Sequence, residues 1–148
     1  MDPKNALALG GLGCLACAGC FALIAIPNFI EMQARAKRAE VPSNVDGIKT
    51  AELAYDAAFD EFVPTAPHPR RVQELTGDAV PWRNPTDFNT LGWSSDGDVR
   101  GTYWVDVPPD GSDFTVHGAV DIDGDGTVAH YTATKSINTV FLNNNDTF

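Results

Sequence analysis

The sequence predicts an α+β domain in which one long N-terminal helix packs on a small antiparallel β-sheet. Two observations carry this prediction. Apolar side chains recur at helical spacing early in the chain, whereas short β-rich segments separated by strong turn signals fill its last third. A helix followed by hairpins is the element order of an α+β domain, with the helix covering one face of the sheet. The 148 residues are enough for one such domain and an anchor.

The first element is an apolar segment, residues 6–26, which contains no charged side chain. It is about as long as the ~20 residues that a helix needs to cross a membrane. We therefore expect residues 1–30 to form a transmembrane anchor and the start of the helix, and residues 31–148 to form an exported globular domain. A cleaved secretory signal is the alternative, but a signal has a shorter apolar core and a small-residue cleavage site after it.

The three cysteines of the chain, Cys14, Cys17 and Cys20, all lie in this apolar segment. Steps of three keep them near one face of a helix, where small side chains allow membrane helices to approach closely. A second interpretation is lipidation of Cys20, because "CAGC" resembles a bacterial lipobox, although Cys17 stands where that motif normally has Leu. The globular part has no cysteine, so a disulfide framework is excluded there.

The helix is expected to leave the membrane unbroken. Pro27 removes one backbone hydrogen bond at the membrane edge, and Phe29 belongs with it to the part of the helix that packs in or near the membrane. Beyond them, Glu31 precedes Arg35 by four residues, a spacing that supports a helix.

A second helical stretch is predicted to begin at Ser43, which has an acidic residue, Asp46, three positions later, as in a capping box. Val41-Pro42-Ser43 is expected to be a weak point of the helix. An apolar stripe then recurs at steps of three and four and predicts a core-facing surface: Ile48, Ala51, Tyr55, Ala58, Phe59 and Phe62. If Phe59 is a core residue, its replacement by alanine costs about 3 to 5 kcal/mol.

Residues 63–101 are predicted to form a Pro-rich loop with no regular element longer than a turn or a short helix. Five prolines and four glycines interrupt this segment. A loop of this length is either functional or packed by its own aromatic side chains, which are Trp82, Phe88 and Trp93.

The last third of the chain is predicted to form an antiparallel meander of at least three strands. Three β-rich segments, "TYWVDV", "DFTVHGAV" and "TVAHYTAT", are separated by turn signals at Pro108-Pro109-Asp110-Gly111 and at residues 123–126.

The second of these turns also resembles a calcium loop. Asp121, Asp123 and Asp125 occupy alternate positions before Gly126, so their oxygens can converge on a hard cation. Position twelve of the loop is Thr132, where an EF-hand has a bidentate Glu, and the flanking segments read as strands. Two interpretations therefore stay open: a structural hairpin turn and a calcium site.

Other chemistry finds little support in the sequence. His117 and His130 fall in neighbouring strands, where they could pair across the hairpin or form a metal site beside the aspartates, although strand histidines are more often packing residues. No nucleophile motif or phosphate-binding loop is present. We therefore expect a protein that is not an enzyme and has no cofactor, calcium excepted. The net charge of −10 and the scattered basic residues also argue against a nucleic-acid partner.

Three segments carry a resemblance to type IV pilins and pseudopilins. "AIPNFIEMQARAKRAE" looks like the point where the apolar half of the long pilin helix passes into its charged half. "IKTAELAYDAAF" is similar to the continuation of that helix, and "DFTVHGAVDIDGDGTVAHYTATKSINT" resembles the terminal strands of pilin-like proteins.

The resemblance implies a single-pass protein of the bacterial inner membrane with its C-terminal domain in the periplasm or at the cell surface. The three basic residues after the apolar segment, Arg35, Lys37 and Arg38, by themselves favour the opposite orientation, but pilin-like helices also carry basic residues there. The implied function is a structural subunit or minor component of a type IV pilus or type II secretion-like system. Its implied partners are other pilin-like subunits or the assembly machinery.

The chain departs from the pilin pattern at its N-terminus. Counting back from Pro27, Asn5 stands in place of the processing glycine and Gly10 in place of the early glutamate. We therefore expect a prepilin peptidase not to recognise it. The alternative function is a membrane-anchored binding or scaffold module that is not polymerised and that holds a partner through the loop with Trp82 and Trp93.

Overall fold

The structure is a computed structural model that describes Ile26, residues 28–83 and residues 85–143. Contacts divide the chain into two units, with the boundary between Ala34 and Arg35. The fold is α+β, as predicted: helical residues run from 28 to 59, and an antiparallel sheet follows.

Two helical segments make up residues 28–59. Helix α1 covers residues 28–38 and α2 covers Glu40–Phe59, with Ala39 between them. The amide of Ala39 still donates to the carbonyl of Arg35 at 3.1 Å, so the helical hydrogen-bond pattern continues. The predicted weak point, Val41-Pro42-Ser43, lies inside α2 and is helical. Because proline has no N–H for the carbonyl four residues earlier, the irregularity appears upstream at Ala39, and Pro42 itself lies in the first turn of α2.

The predicted restart at Ser43 is wrong, since Ser43 lies inside α2 and makes no cap there. Helix α2 ends at Phe59 and is followed by Asp60, whose backbone is left-handed (φ 58°) and whose amide donates to the carbonyl of Asp56 at 2.8 Å. A left-handed residue after the last turn is a common helix ending.

Among the described residues, the main sheet has five strands: β1 (Thr65–His68), β4 (Thr102–Asp106), β5 (Thr115–Val120), β6 (Ala129–Thr134) and β7 (Val140–Phe141); β2 (Val80–Pro81) and β3 (Asp98–Val99) form a separate sheet. The five strands lie in the order β1-β4-β5-β6-β7, and every neighbouring pair is antiparallel. The consecutive strands β4, β5 and β6 confirm the predicted meander.

The segment 63–101 is more ordered than predicted. It contains strand β1, a 3₁₀ helix at Val72–Glu74, a two-stranded sheet of β2 (Val80–Pro81) and β3 (Asp98–Val99), and the short helix α3 (Thr86–Leu91). The prolines of this segment, Pro67 among them, predicted a loop, and proline cannot donate to a ladder. Strand β1, however, lies at the sheet edge, where one side needs no hydrogen bonds.

The core lies between α2 and the inner face of the sheet. Val41, Val45 and Ile48 on α2 are fully buried. The sheet contributes side chains that alternate along its strands, which are Tyr103, Val105, Val116, Val120, Ala129 and Ala133. Gly118 lies between Val116 and Val120, where a Cβ atom would stand 2.6 Å from methyl groups of both Val41 and Val45. Its missing side chain lets the helix approach the sheet closely.

The apolar stripe predicted on α2 is displaced from the true core face. Ile48 and Phe62 are buried, but Phe59 is 63% exposed and contacts Tyr55 in a tilted arrangement, with the ring centroids 4.5 Å apart. The prediction that Phe59 is a core residue is therefore wrong. The buried face instead includes the charged residue Glu52, which a search for apolar periodicity passes over.

Replacing Phe59 by alanine is now expected to lower the free energy of unfolding by less than about 1 kcal/mol, because an exposed ring loses little buried area. The measurement is urea unfolding of the variant beside Phe114→Ala, whose ring is fully buried and should cost about 3 to 5 kcal/mol. Equal losses in the two variants would contradict the assignment of the core face.

Candidate functional site

Most of the predicted anchor lies outside the described residues. This applies to Cys14, Cys17, Cys20 and Pro27, and with Cys20 to the predicted lipidation site. Within the described part of the chain, no helix combines the length and the apolar character needed to span a membrane. Phe29 is described, and it lies on α1 with its side chain 60% exposed, beside Ile30 and Met32, which are also exposed.

The aspartate turn joins β5 to β6. Asp121 follows directly after β5 and is only 2% exposed, whereas Asp123 and Asp125 are exposed. One carboxylate oxygen from each of the three residues lies within 4.8 Å of the others. The sequence therefore predicted correctly that these three side chains converge.

Hydrogen bonds within the turn account for the buried aspartate. The two oxygens of Asp121 accept the amides of Gly124 at 2.7 Å and of Gly126 at 3.0 Å. Asp125 accepts the amide of Thr127. Thr132, the position-twelve residue, lies in β6 and pairs with His117. The turn thus has the carboxylates for a hard cation, but it lacks the helical flanks and the twelfth ligand of an EF-hand.

Replacing Asp121 by alanine is expected to lower the free energy of unfolding by about 2 kcal/mol, because two amides of the turn lose a charged acceptor. The measurement is chemical unfolding without calcium. The matched control is Asp123→Asn with Asp125→Asn, which should cost less than about 0.5 kcal/mol because both side chains are exposed. A larger loss in the control than in Asp121→Ala would contradict a structural role for Asp121.

Calcium binding by the same turn is tested separately. If the three carboxylates hold the ion, calcium raises the melting temperature of the wild type and leaves the Asp123→Asn, Asp125→Asn variant unchanged. Equal melting temperatures of the wild type with and without calcium would leave the turn a purely structural hairpin.

A cluster of aromatic and ionisable side chains lies on the outer face of the sheet, opposite α2. We call it the outer-face cluster, and it consists of Trp104 and Asp106 on β4, His117 on β5 and His130 on β6. Trp104 and His117 are direct cross-strand partners, and their rings are nearly parallel (6°) with centroids 4.7 Å apart.

Two polar contacts connect this cluster. The Nε2 atom of His117 lies 3.2 Å from Oδ2 of Asp106, and its Nδ1 atom lies 3.2 Å from Nε2 of His130. This contact confirms the prediction that the two histidines pair across the hairpin. The indole N–H of Trp104 also donates to Oδ2 of Asp106, at 3.3 Å.

Burial sets the charge state of both imidazoles. It lowers the pKa of His117, an effect that the nearby Asp106 carboxylate opposes and His130 reinforces. Burial also lowers the pKa of His130. A pKa lowered from the ordinary 6.5 favours the neutral form of both rings at pH 7, in which one ring nitrogen has a lone pair and the other a proton.

Sequence reasoning missed Trp104 and Asp106 as members of this cluster. Alternation along "TYWVDV" already places the two residues on one face, but their partners become visible only with the strand register. A cleft of about 250 Å³ adjoins the cluster and is lined by Val72, Trp104, Ala119, Val128, His130 and Asn143.

The aromatic residues of the Pro-rich segment pack on one another. Trp82 contacts Phe88 and Trp93 edge to face, with ring centroids 5.2 and 5.1 Å apart. His68 packs edge-on against Trp82 at 4.6 Å. Trp82 and Trp93 thus pack against the hydrophobic core, where they stabilise the segment.

Comparison of the chain with protein-family models, with curated proteins and with solved structures finds no match.

Proposed function

We propose that the protein is a non-enzymatic, pilin-like structural subunit that is anchored in the bacterial inner membrane through its N-terminal segment and presents residues 31–148 outside the cytoplasm. The observation that carries the proposal is the helical run of residues 28–59, whose second part packs along an antiparallel sheet. This combination of a long helix and a sheet is what the resemblance to pilins implies.

The two parts of the helical run differ in a way that supports the proposal. On α1, the large apolar side chains of Phe29, Ile30 and Met32 are exposed. On α2, apolar side chains are buried against the sheet. Exposed apolar side chains on a helix mark a surface that lipid or neighbouring helices cover, and the uncharged residues 6–26 precede them.

Polar side chains of α2 also hold the segment after β6. Lys49 donates to the carbonyl of Ile137 at 2.9 Å and to Oδ1 of Asn138 at 3.0 Å. Farther along α2, Asp56 pairs with Lys135 at 2.9 Å. The helix therefore contacts both the sheet and the C-terminal loop, as the spine of a structural domain does.

A structural role agrees with the packing of the Pro-rich segment. A binding module that uses Trp82 and Trp93 needs accessible rings, whereas these rings pack on Phe88 and on the core. We therefore favour the structural subunit over the binding module. Asn5 and Gly10 replace the processing glycine and the early glutamate of pilins, so we also favour a minor component of a pilus or secretion system over a major one.

The experiment that separates these functions is fractionation of cells that make the protein, followed by the intact mass of the chain in each fraction. A structural subunit appears in surface filaments released by shearing, whereas a module that is not polymerised stays in the membrane. The mass distinguishes a retained anchor from cleavage, since loss of the residues before Cys20 with added lipid identifies a lipoprotein. Absence from both membranes and filaments would overturn the proposal.

A further inference from the structure

The outer-face cluster places two imidazole nitrogens side by side. Nδ1 of His117 and Nε2 of His130 are 3.2 Å apart and come from adjacent strands of the sheet. A regular ladder fixes both backbones, since Ala119 pairs with His130 and Thr132 pairs with His117. The two nitrogens are therefore held by rigid elements.

Asp106 determines which nitrogen of His117 is free. Its Oδ2 atom lies 3.2 Å from Nε2 of His117 and accepts that N–H, so the neutral ring has its lone pair on Nδ1, the atom that faces His130. A carboxylate that accepts the other N–H of an imidazole is the usual device that orients a metal-binding histidine and raises its basicity.

The spacing of the two nitrogens fits a shared metal ion. Zinc binds imidazole nitrogen at about 2.0–2.1 Å, so two nitrogens on one tetrahedral zinc lie about 3.3 Å apart. The observed distance is 3.2 Å. Without a metal, Nε2–H of His130 donates to the lone pair on Nδ1 of His117, which holds the rings at this spacing. When a metal ion binds, the proton of His130 moves to the other nitrogen of that ring, Nδ1. Nε2 of His130 and Nδ1 of His117 then both direct a lone pair at the ion.

We infer that Nδ1 of His117 and Nε2 of His130 form a binding site for a transition-metal cation of the Zn²⁺ or Cu²⁺ type, with Asp106 orienting His117. Imidazole suits these cations, whereas the oxygens of the aspartate turn suit calcium or magnesium. The two sites are therefore chemically distinct.

The surroundings leave coordination positions open. Trp104 stacks along both imidazoles, with centroids 4.7 Å from His117 and 5.6 Å from His130, and covers one side of the site. The adjoining cleft of about 250 Å³ gives room for water molecules or for a ligand atom of a partner. Two protein ligands fill two of the four positions of a tetrahedral ion, so two positions are left for water or an exogenous ligand.

The test is calorimetric titration of the detergent-solubilised full chain with ZnCl₂ at pH 7.5. The cysteines are first alkylated, because thiolates of Cys14, Cys17 and Cys20 bind zinc themselves. We expect one equivalent of zinc to bind, and His117→Gln and His130→Gln each to weaken binding at least tenfold. Asp106→Asn should weaken it 10- to 100-fold, the range for loss of a carboxylate that orients a ligand.

Two controls locate the metal. His68→Gln changes the third histidine, which pairs with Tyr103 and packs on Trp82 on the other face of the sheet, and should leave the affinity unchanged. Asp123→Asn with Asp125→Asn should also leave it unchanged. Loss of zinc binding in either control, absence of the one-equivalent step in the wild type, or undiminished binding in His117→Gln with His130→Gln overturns the inference.

Misfolding is separated from loss of ligands by thermal melting of each variant with and without zinc. A histidine variant that melts cooperatively in the absence of metal, and whose melting temperature zinc no longer raises, has lost the site and kept the fold. If zinc raises the melting temperature of the histidine variants as much as that of the wild type, the ion binds elsewhere.

Discussion

Replacing Gly118 by alanine is expected to lower the free energy of unfolding by about 3 kcal/mol, the largest effect we predict for so small a change. The new Cβ atom would lie 2.6 Å from Cγ1 of Val41 and from Cγ2 of Val45, and 3.4 Å from Cδ1 of Tyr103. Valine side chains have one strongly preferred rotamer in a helix, so the methyl groups cannot turn away and the helix must move off the sheet. The measurement is urea unfolding monitored by circular dichroism.

The matched control relieves part of the clash by shortening the helix side chain. In the double variant Gly118→Ala, Val45→Ala, the added methyl group occupies space that the shortened side chain vacates. We therefore expect the combined loss to be smaller than the sum of the two single losses by at least about 1 kcal/mol. Additive losses would show that α2 does not approach the sheet at Gly118.

Replacing Glu52 by glutamine is expected to stabilise the protein at pH 8 by up to about 3 kcal/mol relative to wild type. Glu52 is fully buried, and its Oε2 atom accepts the amide of Val63 at 3.1 Å. Its other oxygen, Oε1, has no partner among the described residues. Burial raises the pKa of Glu52 to about 7, because the charged form is poorly solvated there; the Val63 hydrogen bond opposes this effect and the charge of Asp56 reinforces it.

The sign of the pH dependence follows from this raised pKa. The folded protein holds the Glu52 proton more tightly than the unfolded chain, whose glutamate has a pKa near the ordinary 4.5. The stabilisation by this proton is complete below pH 4.5, falls as the pH rises from 4.5 to about 7, and is absent above. Glutamine cannot ionise, so the variant lacks this fall.

The measurement is the difference in unfolding free energy between Glu52→Gln and wild type, from pH 4.5 to pH 8. Taking the difference removes the opposite contribution of His68, His117 and His130, whose lowered pKa values make the folded protein more stable as the pH rises. A difference that does not change with pH would contradict a raised pKa of Glu52.

The sequence predicted the meander well because its signals are local. Alternation along β4, β5 and β6 and the glycine turns between them act within ten residues or so, which is the range over which patterns are informative. Contacts that depend on strand register, such as that of Asp106 with His117, have no local signal. Glu52 was missed for a different reason, since a buried carboxylate runs against the apolar periodicity used to find the core.

Strand β1, at the edge of the sheet, shows a second limit of predicting strands from the sequence. Pro67 lowered the expectation of a strand in residues 63–101, although proline is acceptable at an edge. Whether a strand lies at an edge is a property of the whole sheet, so the sequence of that segment alone could not distinguish β1 from a loop.

The central claim, an inner-membrane anchor with an exported domain, is tested most directly by protease treatment of intact spheroplasts that make the full chain. We predict that the protein stays in the membrane pellet after alkaline carbonate extraction and that protease added outside degrades the domain. A cytoplasmic protein made in the same cells is the control for leakage. Release of the chain by carbonate, or a membrane-bound domain that resists protease in spheroplasts and is cleaved only after lysis, would contradict the account.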